Sequence, residues 1–359
     1  MDNKPKYQLL KEYIKNHIKN NDLHYNDLIS SEIELMKQFG ISRHTVRRGI
    51  SDLVNEGWLY KQQGKGTYVS DPKANQSGHG KLVGVITTYI NDYIFPEIIA
   101  GMEEAFSEEG YSIILGNTNN NVDKERLILT NMLNSNLSGL IVEPTKSVFP
   151  NHNKDLFEQI SKRGIPILFI HATYQNVSAN YIVEDDIMAG YEATKYLIDN
   201  GHTRIGGMFK QDDMQGHGRY EGYLKALRES DMTSNDHAVS WYTTETRDLI
   251  ISENNEDGLN QLLKDVTGIV VYNDQAASEL ITVLDNIGIN VPGDVSLVSF
   301  DNANIAVSGK VKLTTIAHPK AGLGMDAAKG LMQLMNNRID KFEKVIIPEL
   351  VVRESVRQL

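Results

Sequence analysis

The chain contains no cysteine, which excludes disulfide cross-links, thiolate nucleophiles and cysteine metal sites. No apolar run approaches the ~20 residues needed to cross a bilayer, and the opening residues MDNKPKYQ are polar. A cytoplasmic protein with no membrane partner is expected. There is no P-loop, nucleophile elbow, HExxH or dinucleotide fingerprint, so neither catalytic residues, metal ligands nor a cofactor are expected. The adjacent acids Asp185-Asp186 and Asp212-Asp213 have the residue types of an acid/base pair, but neighbouring loop carboxylates are usually solvated, and an enzyme is not the reading.

What remains is 359 residues, 40% of them apolar, enough for a small module and a body of about 280 residues. The net charge of −11 is unevenly spread: residues 1–70 hold 11 Lys and Arg against 8 Asp and Glu, the rest 25 against 39. A basic head on an acidic body fits one small nucleic-acid-binding unit.

Within the head, Ile41 to Glu56 (ISRHTVRRGISDLVNE) reads as a helix capped by Ser42. Val46, Ile50, Leu53 and Val54 form one apolar stripe; His44, Thr45 and Arg48 point away from it, and Arg43 and Arg47 flank it. A preceding short helix from Ser31 ends at Gly40, making a helix-turn-helix. Tyr7 to Ile18 forms a covering helix, in which His17 packs. Leu59 to Val69 then reads as a hairpin around Gly-Lys-Gly, whose Gln63 and Lys65 can approach phosphate or a minor groove. The second helix of such a unit enters the major groove of double-stranded DNA.

SEIELMKQFGISRHTVRRGISDLVNEGWLYKQQGKGTYV resembles the GntR family of bacterial regulators over about residues 5–70. The resemblance implies DNA reading by Glu32, Arg43, His44, Thr45, Arg47 and the wing residues Gln63 and Gly64. GntR members usually carry Pro where Ser30 stands, which predicts a looser start to the second helix.

Three segments are expected: a small α+β winged helix-turn-helix domain at 1–70, a polar linker at 71–81 and a two-lobed effector-binding and dimerisation body at 82–359. In the body, apolar runs at 82–87, 111–115, 139–142, 165–170, 204–209, 269–272 and 295–300 alternate with helices beginning near Phe95, Asp123, Ile187, Gly218, Gln275 and Lys320. This is an α/β pattern of two doubly wound parallel-sheet lobes. The chain should cross between them near 174–186 and return near 302–319.

Ligands of open parallel sheets bind beyond the carboxyl ends of the strands. Residues there include Tyr89, Tyr93, Phe95, Glu143, His171, Asp213, Gln215, Asn273 and Asp301, with Arg219 in the turn opening the next helix. Asp274 reads as a helix N-cap. Carboxylates, amides and rings together suit a neutral polyhydroxylated ligand. A sugar phosphate would be repelled by Glu143 and Asp301, with few cations beyond Arg219.

The segments LVGVITT, GLIVEP, GIPILFI, DDIMAGYEATKYLIDNGHTRIGGM, GRYEGYLKAL, VVYNDQAA, NVPGDVSLVSFDN and LTTIAHPKAGLG resemble the sugar-binding half of the LacI/GalR regulators and, more distantly, periplasmic sugar-binding proteins. That resemblance implies effector contacts at Glu143, His171, Arg219, Asn273 and Asp301, lined by Tyr93, Phe95, Asp213 and Gln215. A GntR-type head on this body, with YINDYIFPEIIAGME and LIVEPTKS, resembles the L-arabinose-responsive repressors of Gram-positive bacteria. It implies a homodimer on operator DNA, released by L-arabinose. Alternatives are a regulator sensing another neutral sugar such as D-galactose, or a non-regulatory sugar-binding protein.

Overall fold

The structure is a computed structural model that describes residues 6–20, 22–55, 58–62, 65–70, 82–91, 93–178, 180–233 and 236–359. Internal contacts divide the chain into units at Met1–Lys81 and Leu82–Leu359. The expected linker at 71–81 and the wing residues Gln63 and Gly64 lie outside the described residues.

The head comprises α1 (Lys6–Lys19), α2 (Glu32–Phe39), α3 (Arg43–Asn55), β1 (Leu59–Gln62) and β2 (Gly66–Val69). Leu10, Ile14 and Ile18 of α1 pack with Leu35, Val46, Ile50, Leu53, Leu59 and Val69 in one core. The strands are antiparallel, with Leu59 opposite Val69. The looser start expected for α2 is not what forms. Ser31 Oγ accepts from the Glu34 N–H at 3.3 Å and Glu34 Oε2 accepts from the Ser31 N–H at 2.7 Å, a capping box that needs no proline. Gly40 ends α2 in the left-handed region at φ 57°, which glycine adopts without a Cβ penalty. In α3, Ser42 Oγ accepts from the Thr45 N–H at 3.2 Å.

The body runs β3 (Leu82–Thr87), α4 (Phe95–Glu108), β4 (Ser112–Asn117), α5 (Val122–Leu133), β5 (Gly139–Val142), α6 (Lys154–Lys162), β6 (Ile167–Ile170), β7 (Asn180–Glu184), α7 (Asp186–Asp199), β8 (Ile205–Lys210), α8 (Met214–Glu229) and β9 (Val239–Tyr242). It continues through α9 (Glu256–Leu263), β10 (Gly268–Val271), α10 (Asp274–Asn286), β11 (Ser296–Asp301), β12 (Thr314–Ala317), α11 (Lys320–Met335), β13 (Glu343–Ile346) and β14 (Glu349–Val351). The first lobe is a parallel sheet of order β13-β7-β6-β5-β3-β4 and the second has order β14-β12-β11-β10-β8-β9. Both faces of each sheet are covered by apolar clusters. That is why β5, β6 and β10 are buried at every position.

Several sequence expectations need correction. Residues 174–186 are not a bare crossing but contain β7, and the return segment contains β12. β14 pairs antiparallel with β12, so the second sheet is not purely parallel. The helix expected near Gly218 begins at Met214 with Asp213 as its cap, which places Arg219 in its second turn. The lobes are joined where β7 meets α7, where β12 meets α11 and where β13 meets β14. At Gly190 and Gly222 a Cβ would strike the backbone of the partner helix, so α7 and α8 lie in direct backbone contact, and this seats Arg219 beside the first crossing.

Candidate nucleic-acid interface and ligand cavity

On the head, Arg43 Nε donates to Glu32 Oε2 at 2.9 Å and Arg47 Nε to Glu32 Oε1 at 3.0 Å. The arginine side chains are 62% and 56% exposed and that of Glu32 28%. The hydrogen bond from Arg43 holds the Glu32 carboxyl below its usual range, against a smaller opposing effect of burial. One carboxylate thus aligns two guanidinium groups on one face while their remaining N–H groups are open to solvent. His44 is exposed beside them, and the Thr45 hydroxyl lies 2.8 Å from Ser42 Oγ. Arg48 departs from the expected reading face: its guanidinium stacks over the Tyr7 ring at 4.4 Å, anchoring α3 to α1. Lys65 is exposed at the hairpin end.

In the body, a cavity of about 220 Å³ lies between the lobes at the carboxyl ends of the strands. The structure brings Tyr93, Phe95, Glu143, His171, Asp213, Gln215, Asn273 and Asp301 together around it. Tyr93, His171 and Asp301 have φ of 64°, 63° and 94°, conformations costly for bulky residues and concentrated where function dictates geometry. Phe95 opens α4 and tilts against Tyr89, with ring centroids 5.8 Å apart. Glu143 follows β5 and accepts from Thr88 N–H and Oγ–H, each at 2.7 Å. Its other oxygen lies 3.0 Å from His171 Nδ1, and His171 Nε2 lies 3.0 Å from His318 Nε2. Burial opposes a charge on His171, but the hydrogen bond and charge of Glu143 outweigh it and raise its pKa. Burial and the neighbouring His171 push His318 well down.

Arg219 stands behind the cavity wall rather than in it, which corrects its reading as a direct contact. Its Nε donates to Asp186 at 3.0 Å, Nη1 donates to the Tyr272 carbonyl at 2.5 Å, and Nη2 lies 3.5 Å from Asp301 and 3.9 Å from Glu184. It is sandwiched between the Tyr272 and Phe300 rings at 4.9 and 4.5 Å. Asp186 and the Tyr272 carbonyl take a donor each, Nη2 faces the Asp301 and Glu184 carboxylates, and Arg219 thereby positions Asp301 and Tyr272. Burial raises both Glu184 and Asp186 above the usual carboxylate range; each also feels nearby carboxylates, and Arg219 opposes both shifts.

The expected N-cap role of Asp274 falls to Asn273, whose Oδ1 accepts from Ala276 N–H at 2.9 Å. Asp274 is instead buried, accepting from Ser299 and Thr315 hydroxyls and the Ala303 N–H. Burial raises it to about 7, with repulsion from Asp301 adding to the shift. Asp213 is lowered: burial opposes this, but the Lys210 charge and the Tyr272 hydrogen bond prevail.

Sequence reasoning missed Lys210, Tyr242, Thr244, Arg247, Asp248, Gln275 and His318 as lining residues. Lys210 ends β8 and was readable as a strand-end residue, whereas Thr244 to Asp248 follow β9, a strand the pattern hid. The expectation of few cations was too low. Yet Lys210 lies 3.6 Å from Asp213, and Arg247 lies 3.3 Å from Asp248 and 3.5 Å from Glu279. The cavity cations are matched by carboxylates, and a neutral ligand suits it better than an anion.

Comparison with known proteins accords with this two-part architecture. Residues 6–69 match the model of bacterial regulatory proteins of the gntR family, and residues 194–356 match a periplasmic binding protein-like domain. An arabinose metabolism transcriptional repressor of Halalkalibacterium halodurans is 41% identical, covering 98% of this chain and 97% of its own. Another, of Geobacillus stearothermophilus, is 40% identical over 99% and 98% of the two chains. Among solved structures, the transcription regulator CcpA of Lactococcus lactis superposes with a TM-score of 0.68 at 25% identity, over 77% of this chain and 99% of its own. With a helix-turn-helix head on a two-lobed ligand-binding body, this chain is a DNA-binding transcriptional regulator rather than an enzyme and belongs to the family of arabinose metabolism transcriptional repressors.

Proposed function

We propose that the chain acts in the cytoplasm as a homodimer that holds a two-fold operator in the absence of sugar and releases it on binding L-arabinose. The observation that carries the effector reading is the cavity between the lobes itself, with carboxylates, amides and rings around matched cations. Hydroxyls of a pentose both donate and accept, so they can pair with Glu143, Asp213, Asn273 and Asp301, while a C–H face packs on Tyr89 or Phe95. A dimer is the natural partner of a two-fold site, since two recognition helices must reach half-sites on one face of the duplex. On this reading Glu32, Arg43, His44, Thr45 and Arg47 work at the major groove, while Gln63, Gly64 and Lys65 work at the wing. The sugar need only favour a closed body that misplaces the two heads.

The test is calorimetry of the full chain against a panel of pentoses and hexoses, with gel shifts on operator DNA and sedimentation of the free protein. One L-arabinose per protomer and sugar-dependent release of a dimer from operator are expected. Uptake of D-galactose in preference to L-arabinose, or release indifferent to every sugar, would overturn the effector assignment.

A further inference from the structure

Beside the cavity and reaching its wall at Asp213 and Thr244, a second set of polar side chains joins the two lobes. From the first lobe, Asn120 Nδ2 donates to Asp212 Oδ2 at 3.2 Å and to Thr244 Oγ1 at 2.6 Å, and Lys146 Nζ donates to Glu245 at 2.5 Å. Ser147 Oγ donates to Asp213 Oδ1 at 3.1 Å and accepts from the Met214 N–H at 2.8 Å. Asn120, Ser147 and Asp212 are buried, and none of these residues lies in the three crossings that join the lobes.

Each half is shaped by its own lobe. In the first, Thr145 N–H donates to Tyr174 Oη at 2.8 Å and to Glu125 at 3.3 Å, and Tyr174 donates to the same buried Glu125 at 2.6 Å. Lys146 N–H donates to Asn120 Oδ1 at 2.8 Å, tying the two partners together. In the second lobe, Asp212 Oδ2 accepts from Thr244 N–H at 3.1 Å, and Gln211 N–H donates to the Tyr242 carbonyl at 2.7 Å. Prearranged halves lose little freedom when they meet.

The join reaches the ligand through Asp213. One of its oxygens takes the Ser147 hydroxyl, the other takes Tyr272 Oη–H at 2.8 Å, and Asp213 and Tyr272 both line the cavity. Asp212 is the least satisfied member of the join. Its side chain is fully buried, Oδ1 has no hydrogen-bond partner, and Lys146 and Lys210 each stand 4.0 Å away. A buried oxygen without a hydrogen bond offsets part of what the interlobe bonds contribute, so the balance of the join can be tipped by a modest ligand contribution.

We propose that Asn120 and Ser147 are positioning residues for the effector, an interlobe clasp that touches no sugar but sets its affinity by holding Asp213 and the closed lobes. The inference rests on the reading that the cavity takes L-arabinose.

The experiment uses full-length protein with Ser147→Ala, Ser147→Thr and Asn120→Gly, the last chosen because Asn120 has φ 52°, which glycine tolerates. Calorimetry should show L-arabinose bound roughly tenfold more weakly by Ser147→Ala and Asn120→Gly, each of which loses two interlobe hydrogen bonds of modest net strength, and recovery in Ser147→Thr. Operator affinity without sugar and melting temperature should stay at wild-type values. Hydrogen exchange of the sugar-free protein supplies a second readout. The Met214 amide, which donates to Ser147 across the lobes and which Asn120 does not touch, should exchange faster in Asn120→Gly because the lobes open more often. Wild-type sugar affinity in both variants, or weakened affinity with unaltered Met214 exchange in Asn120→Gly, would overturn the clasp. Failure of wild type to bind L-arabinose would overturn the effector reading instead, and the exchange measurement would still decide the clasp.

Discussion

Arg47 in the head and Arg219 in the body are both arginines held by carboxylates, and they differ in how much water reaches them. The Arg47 side chain is 56% exposed beside a partly exposed Glu32; that of Arg219 is 3% exposed among Asp186, Glu184 and Asp301. An exposed pair contributes about 0–1 kcal/mol, so Arg47 can exchange Glu32 for a phosphate or a base at little cost. A buried charge has no such alternative, because its partners would be left unpaired in a low-dielectric site. The head therefore carries arginines ready to be handed over, and the body carries one built in.

The sharpest way to break this contrast is to neutralise each arginine and measure stability. Arg219→Met should lower the unfolding free energy of the body by about 3–5 kcal/mol, by stranding buried carboxylates. Arg47→Ala should leave it within about 0.5 kcal/mol, as for most surface changes. Urea melts of both variants check this, and equal small losses would place Arg219 in a far wetter setting than the structure gives it.

Asp274 extends the comparison to pH. Its folded pKa is raised to about 7 from an ordinary 3.8, so the folded body holds a proton there that the unfolded chain has lost. The stability from that proton is full below about 4 and disappears as pH rises through 7. Replacing it with Asn should narrow the stability gap between wild type and variant as pH goes from 4 to 8. Melts at several pH values read it directly, and a gap that widens with rising pH would contradict the sign.

Within the cavity, Asp301→Asn keeps a residue tolerant of φ 94° but removes a charged acceptor. L-arabinose should bind about 1–3 kcal/mol more weakly, as for a lost buried partner, while operator binding persists. Wild-type dose dependence of release in the folded variant would remove Asp301 from the effector contacts.

The fold was legible wherever burial on both faces wrote a continuous apolar run, as in GLIV of β5 and GIVV of β10. It was not legible in β9 and β13, whose patterns mix polar and apolar residues; both strands lie at sheet edges. Those hidden strands carried site residues out of view: Thr244 to Asp248 follow β9, and His318 follows the unread β12. Arg219 was visible as a residue but not in its role, since what engages it comes from three segments far apart in sequence. Spacing can show that an arginine lies near a strand end. It cannot show that Asp186 and the Tyr272 carbonyl already hold it from Nε and Nη1.

On the DNA side, Arg43→Ala should cost about 1–3 kcal/mol on operator through a lost base contact, and Arg47→Ala should weaken all sequences while flattening the salt dependence. Unchanged gel shifts by both variants would exclude this face from the groove.

The smallest effect is expected at Lys65. It lies at the end of the hairpin, its N–H donating to the Gln62 carbonyl at 3.0 Å and its own carbonyl accepting from Tyr68 Oη at 3.2 Å. Both bonds use the backbone, so the Lys65 backbone is held while its side chain stays exposed to solvent. A compact, exposed cation on a held residue suits phosphate, which positions a protein on the duplex without reading its sequence. Lys65→Ala leaves those backbone bonds in place and should keep the hairpin, lower affinity for operator and random DNA equally, and reduce the slope of log affinity against log salt by about one. Fluorescence anisotropy on both duplexes over a salt series measures all three quantities. If Lys65→Ala lost preference for operator while binding random DNA as well as wild type does, the wing would be reading bases, and the division between a reading helix and a positioning wing would fall.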